Sequence, residues 1–360
     1  MIQVADDEYL KTDRSKLFNE LTEQLRPYQC FEKQPSFYMR HLAAYIAVHV
    51  AMLVLISITS NLFLSLVFLS IDAVFILRIG FVGHDLAHGS VKSSRWYRDY
   101  LGEFVWCFFL GLSKEFWDAK HSLHHKFTNI ASESNGDPDI ETPPFVLGSL
   151  QAQPKSLLAL AIVKYQHILY WFALTLLIIG LTIESFHFIV TGKFKERPFS
   201  VRSPKSWVFI LILAGYILNN FPLFMAKPLW MGIVLLVYKY MLAGFVIGFV
   251  FALNHVGLPV ISGEFPVDRL TLQTYTTRNV NGAFGRWFWG VLAYQTEHHL
   301  WPGISWHKLP IAAQITREFC QKHGIIYNEA TPSQCFIDSV TTLKRLGTTA
   351  SIQTTESTPT

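Results

Sequence analysis

Apolar positions along the chain come in runs of membrane length. From Leu42 to Leu77 only Asp72 is formally charged. As one helix this run would extend about 54 Å at 1.5 Å per residue, well beyond a hydrocarbon core of about 30 Å, so it must fold back. Thr59-Ser60-Asn61 is its most polar point and predicts spans over 42–59 and 62–82. Three more apolar stretches follow, at 158–190, 207–226 and 229–253. The last two predict a hairpin turning around Asn220–Pro228. The stretch at 158–190 is interrupted by Lys164, Gln166, His167, Glu184 and His187, and reads as amphipathic helices at the interface. Residues 100–112 are too few to span and are also assigned there. The 229–253 span reaches roughly 37 Å, so the Asn254-His255 pair that follows it should project beyond the lipid.

Composition agrees with an integral membrane protein. The 360 residues are 51% hydrophobic and 16% charged, too apolar for an ordinary soluble domain. The net charge of +4 is modest, and the absence of a Lys/Arg-rich run argues against nucleic acid as a partner. Cys30, Cys107, Cys320 and Cys335 have no paired spacing and read as reduced thiols. Asp6, Asp7 and Glu8 precede any apolar run, which argues against a cleaved secretory signal. Thr348 to Thr360 is rich in Thr and Ser and is expected to be disordered. The organisation expected is an N-terminal segment (1–40), a membrane domain (41–330) and a C-terminal tail (331–360).

The candidate chemistry lies in three polar clusters between the apolar runs. These are His84-Asp85-Leu86-Ala87-His88, His121-Ser122-Leu123-His124-His125 and Gln295-Thr296-Glu297-His298-His299. Spacings of i, i+3 and i+4 put these side chains on one face of a helix, and imidazole is the commonest ligand for transition metals. Seven box histidines are too many for one ion, so the pattern calls for two metals, with His255 as an eighth ligand. No CxxC or HExxH competes. Asp85, Glu297, Asp137 and Asp139 are the carboxylates available to orient ligands through the second ring nitrogen. Gln295 is a candidate ligand or supporting residue, and Asn254 is placed to hold a metal-bound water. Clusters that share metals must lie on one membrane side. That requires an even number of crossings between His125 and Gln295, hence four spans in all with 158–190 left out. Lys and Arg crowd the N-terminal segment (Lys11, Arg14, Lys16, Arg26, Lys33, Arg40) and the 193–205 loop, while the turn-backs hold only Lys227. The positive-inside rule then puts the histidine side in the cytoplasm, or the stroma of a plastid. The fold class expected is an all-α integral membrane protein. It has four transmembrane helices, interfacial amphipathic helices and a cytoplasmic-side, histidine-rich di-metal domain.

These residues resemble the membrane-bound fatty acid desaturase family. The likeness covers His84-x-x-x-His88 after a second span, and His121-x-x-His124-His125 followed by Thr128-Asn129 and Asp137-Pro138-Asp139. It ends with Gln295-x-x-His298-His299-Leu300-Trp301-Pro302 and extends over about 40–330. The Gln-led third box is similar to that of the "front-end" group, which adds a double bond between an existing one and the carboxyl end. The resemblance implies two irons held by the box histidines and by one more at the end of the fourth span, where His255 stands. Gln295 takes a place usually held by His. Many front-end relatives carry a fused cytochrome b5 domain with a His-Pro-Gly-Gly motif. No such motif occurs here, and the 40-residue N-terminal segment is too short for that domain.

An unactivated methylene has no acidic proton and no electrophilic centre, so the expected reaction is oxidation with O₂ as co-substrate. The metal cofactor carries the hard step and the protein positions the chain. No GxGxxG or Cys-rich cluster marks an internal electron carrier, so an external donor is expected, either ferredoxin or a separate cytochrome b5. The fatty acyl group could arrive on a lipid, coenzyme A or a carrier protein. Alternatives within the same chemistry are a hydroxylase, an acetylenase or a carotenoid ketolase. Outside it stand a zinc-dependent membrane amidase of the ceramidase type, which needs only about three His and a water, and a metal or haem carrier.

Overall fold

The computed structural model describes residues 7–132, 136–148, 156–195, 197–199, 205–263 and 266–356. Helices dominate, and the only strands among the described residues are two-residue pairs. The chain forms two compact units. Unit 1 comprises 1–32, 122–172 and 249–360, and unit 2 comprises 33–121 and 173–248. Unit boundaries fall inside three helices, Lys114–Phe127 after His121, Gln166–Ala173 after Phe172 and Leu229–His255 after Gly248.

Unit 2 holds most of the membrane-length helix. Pro35–Ile58 begins with proline at its first position, where the missing N–H costs nothing. Leu62–Ala87 is capped by Asn61, whose side chain accepts from the Leu64 N–H at 3.0 Å and stops one helix from running into the next. The two helices therefore turn back at Thr59–Asn61, as the polar break predicts. Ile56, Leu69, Leu223, Met231 and Leu235 interlock in the core of this hairpin and the next. Val54, Ile58, Phe63, Ile210, Leu213 and Ile217 are exposed, as expected where lipid is the solvent. The polar residues of these spans point inward: His49 Nδ1 meets Asp72 Oδ1 at 2.7 Å and its Nε2 meets Asn219 Oδ1 at 3.0 Å. The first helix starts at Pro35 rather than 42, the second runs to Ala87 rather than 82, and Lys205–Asn220 ends before 226 in a short 3₁₀ turn.

A further stretch, Gln166–Thr191, is also long and apolar enough to cross a membrane, so length and composition admit five spans against the four expected. The stretch is not a uniform helix. A 3₁₀ turn at Leu174–Leu176 divides it, and within unit 2 that turn abuts Gly244. A Cβ at 244 would lie 2.8 Å from the carbonyl oxygens of both Leu174 and Thr175, so only glycine fits.

Unit 1 packs Ser15–Leu25, Arg269–Thr276, Gln295–Leu300, Leu309–Lys322 and Pro332–Glu356, with Leu10, Ile261, Leu272, Tyr275 and Ile326 in one core cluster. The N-terminal segment is docked here: Trp301 stacks on Phe18 with centroids 5.4 Å apart and donates to Thr22 Oγ1 at 3.0 Å. The C-terminal helix runs from Pro332 to Glu356; the rest of the tail expected to be disordered, residues 357–360, lies outside the described residues. Parallel pairing joins Ile130–Ala131 to Ile261–Ser262 and Asn279–Val280 to Glu329–Ala330, pinning the loops beside the second and third boxes.

Candidate metal centre

In unit 1, three imidazoles converge. His124 lies on Lys114–Phe127, His255 ends Leu229–His255, and His299 lies on Gln295–Leu300. One ring nitrogen from each falls within 4.8 Å of the others. The opposite nitrogens settle the protonation. His124 Nδ1 faces Asp137 Oδ1 and Oδ2 at 2.9 and 3.0 Å. His255 Nδ1 faces the Thr276 carbonyl at 3.3 Å, and His299 Nδ1 faces Gln273 Oε1 at 2.9 Å. Each partner is an acceptor, so each Nδ1 carries the proton and each Nε2 presents a lone pair. This is the donor set a divalent transition metal takes.

Gln295 stands among these nitrogens. Its Nε2 lies 2.8 Å from His255 Nε2 and 3.0 Å from His299 Nε2, while its buried Oε1 has no hydrogen-bond partner. Turning the amide by 180° would put that oxygen against two lone pairs, a contact that only a cation could make favourable. Asn254 Nδ2 donates to the Arg278 and Leu292 carbonyls at 2.8 and 2.9 Å, while its buried Oδ1 has no hydrogen-bond partner.

Local sequence explains the support. Asn129, at φ 53°, ends the second-box helix in a conformation Asn tolerates better than most. Its N–H donates to Asp137 Oδ2 at 2.8 Å, and the Asp139 N–H donates to Oδ1 at 2.9 Å, folding the loop back beneath His124. Asp139 itself stands 3.4 Å from His124 Nδ1. Glu297 accepts from Asn279 Nδ2 at 2.8 Å and from the Tyr327 hydroxyl at 2.9 Å. Burial pushes its carboxyl up to about 7 against the pull of those two donors. Thr296 N–H donates to Asn279 Oδ1 at 2.9 Å, so Asn279 clamps the third-box helix from both sides. His125 and His298 face one another with Nε2 atoms 3.0 Å apart.

In unit 2, His84 and His88 sit one turn apart where Leu62–Ala87 ends, and Gly89 at φ +67° allows the helix to stop. The candidate ligand atoms of His84, His88 and His121 lie within 4.8 Å of one another. His84 Nδ1 is 3.2 Å from Asp85 Oδ1, and Tyr38 donates to Asp85 Oδ2 at 2.5 Å. His84 Nε2 and His121 Nε2 are 3.1 Å apart. Two nitrogens bound cis to one metal at about 2.1 Å each would lie about 3.0 Å apart, so this spacing also fits coordination. Trp117 stacks on His121 at 4.8 Å and 27°, and Trp106 stacks in turn on Trp117. Burial pushes the His88 imidazole well below its ordinary range, which favours the neutral form.

Sequence reasoning missed Gln273, Thr276, Asn279, Tyr38, Trp117 and Tyr327. All are distant in sequence from the box residues they support except Trp117, which lies one turn before His121.

The family model described as fatty acid desaturase matches residues 60–331. The acyl-lipid (9-3)-desaturase of Physcomitrium patens is 27% identical over 326 residues, covering 88% of this chain and 60% of the relative. The fatty acid desaturase 2-like protein FADS2B of Mus musculus is 29% identical over 339 residues, covering 91% and 66%. The Delta(5) fatty acid desaturase fat-4 of Caenorhabditis elegans is 25% identical over 256 residues, covering 69% and 56%. The chain thus spans somewhat under two thirds of the length of these relatives. All three box regions fall within the matched segment, and this chain belongs to the fatty acid desaturase family.

Proposed function

We propose that this chain is an O₂-dependent front-end fatty acyl desaturase in which the seven box histidines and His255 hold two irons. The observation that carries the reading is the trio His124, His255 and His299, with every Nδ1 proton given to a protein oxygen and every Nε2 turned to a common point. That trio alone would also suit a hydrolytic zinc. The histidines beyond it and the family membership favour iron. Two irons, reduced by an external donor, would supply O₂ reduction and removal of two hydrogens from adjacent carbons.

The protein's share is positioning. Asp137, Thr276 and Gln273 hold the trio in the ligating tautomer, Asp85 does so for His84, and Trp117 fixes the plane of His121. Gln295 is a ligand through its oxygen or a donor to His255 and His299. Asn254, whose Nδ2 is tied to two carbonyls, keeps its buried Oδ1 for a metal-bound water. We further propose four spans, with Gln166–Thr191 at the interface and the histidines facing the cytoplasm or stroma, supported by the Lys/Arg distribution and the parity of crossings. The names of relatives, one an acyl-lipid (9-3)-desaturase and one a Delta(5) fatty acid desaturase, support a front-end position and, through the first, an acyl-lipid substrate over coenzyme A or a carrier protein.

The test is purified full-length chain, supplied with defined polyunsaturated acyl donors and a reduced ferredoxin or cytochrome b5. Expected are about two irons per chain, O₂ uptake, and a new double bond on the carboxyl side of an existing one, located by mass spectrometry. Full activity in a zinc-only preparation, or amide hydrolysis, would overturn the reading.

A further inference from the structure

Arg278 is 1% exposed and sits beside no box, yet its hydrogen bonds converge on the end of the helix that carries His255. The last carbonyls of a helix have no partner within it. Here Leu253 O accepts from Arg278 Nε at 3.0 Å and Nη2 at 2.7 Å, and Asn254 O accepts from the Arg278 backbone N–H at 3.1 Å. Val256 O accepts from Nη2 at 3.3 Å and from Ser339 Oγ at 2.7 Å. The guanidinium is held from its far side by the C-terminal helix, through Asp338 Oδ2 at 3.1 Å and the Cys335 carbonyl at 3.3 Å. Gly257, at φ +93°, lets that helix approach: a Cβ there would meet Ser339 Cα at 3.1 Å. A planar, forked cation at a helix C-terminus satisfies carbonyls that a flexible ammonium could reach only singly.

We propose that Arg278, braced by Asp338 and Ser339 of the C-terminal helix, is a positioning residue for the metal centre, fixing the last turn that aims His255. This makes the Pro332–Glu356 helix, outside the segment the family model matches, part of the working site. The inference rests on His255 being a ligand.

The experiment is chelator competition for iron on purified full-length protein, with melting temperature measured alongside. Arg278→Lys keeps the charge and loses the fork; iron affinity should fall roughly 10- to 100-fold, the range for groups that orient ligands. Tyr9→Phe, which removes the acceptor of the Ile326 N–H, should lower the melting temperature and leave iron affinity unchanged. Wild-type affinity in Arg278→Lys overturns the proposal. Should that variant not fold, Asp338→Asn decides: a several-fold loss supports the proposal and wild-type affinity overturns it. His255→Ala separates the two readings. If it loses iron while Arg278→Lys does not, only the positioning role falls; if it keeps wild-type iron, the ligand assignment falls and this proposal with it.

Discussion

The two histidine clusters hold their rings by different means. In unit 1 each imidazole of the trio passes its Nδ1 proton to an oxygen on a separate segment: Asp137 from the loop after the second box, Thr276 and Gln273 from Arg269–Thr276. In unit 2, His84 leans on Asp85, its own neighbour in sequence, at 3.2 Å, and His121 lies flat on Trp117. A hydrogen bond to Nδ1 fixes both ring rotation and tautomer, whereas stacking fixes the plane alone. The trio in unit 1 should therefore be the less tolerant of polar substitutions in its supports.

The largest effects should come from the ligands, and here the clusters should not differ. His124→Ala, His299→Ala, His84→Ala and His121→Ala should each abolish desaturation in a product assay. Iron per chain, measured by mass spectrometry, should fall from about two toward one. A variant that retains both irons and full turnover would remove its histidine from the ligand set, and the comparison would have to be redrawn around the remainder.

The boxes were legible because i, i+3 and i+4 spacing is a local property, and so were the first two spans, whose break at Thr59–Asn61 coincides with a capping Asn. The supports were not legible, because Gln273 and Thr276 reach their histidines only through the tertiary fold. Asp137 and Asp85 could be named as candidates, but nothing in their spacing distinguished them from Glu297, which Asn279 and Tyr327 engage instead. The Gln166–Thr191 stretch was set aside for its polar residues. Yet Gln166 is spent on the Val146 backbone and the Leu343 carbonyl within unit 1, leaving a stretch apolar enough to cross. Single cysteines at Lys164 and Lys193, both exposed, in a background cleared of the four buried cysteines, decide the matter. Labelling from the same membrane side is expected; labelling from opposite sides would establish a fifth span and end the parity argument.

A smaller effect sharpens the comparison directly. Asp137→Asn replaces a group that accepts from His124 Nδ1, Asn129 N–H and Asp139 N–H together. An amide has one accepting atom, and His124 Nδ1 reaches both positions, so in either orientation the Asn129 or the Asp139 N–H would meet an N–H₂ and the loop that orients His124 would have to shift. Iron affinity should fall roughly 10- to 100-fold. Asp85→Asn should cost far less. Its oxygen can stay on His84 while its N–H₂ donates to Tyr38, whose hydroxyl can accept as readily as donate. Equal losses in the two variants would show that charge, rather than donor and acceptor matching, is what both carboxylates supply.

The smallest effect belongs to Trp117. A well-stacked aromatic pair contributes about 0.5–1.5 kcal/mol beyond its buried area, and the Trp117–His121 pair is nearly parallel at 27°. Trp117→Leu keeps an apolar side chain in a buried position but frees the imidazole to rotate, so iron affinity should drop roughly 2- to 10-fold. Trp117→Phe keeps a flat face beneath the ring and should retain most of the affinity. Both variants lose the indole contact with Trp106 and should melt at lower temperature, so the readout that separates them is chelator competition rather than stability. Equal iron loss in the Phe and Leu variants would mean that Trp117 fills space without orienting His121.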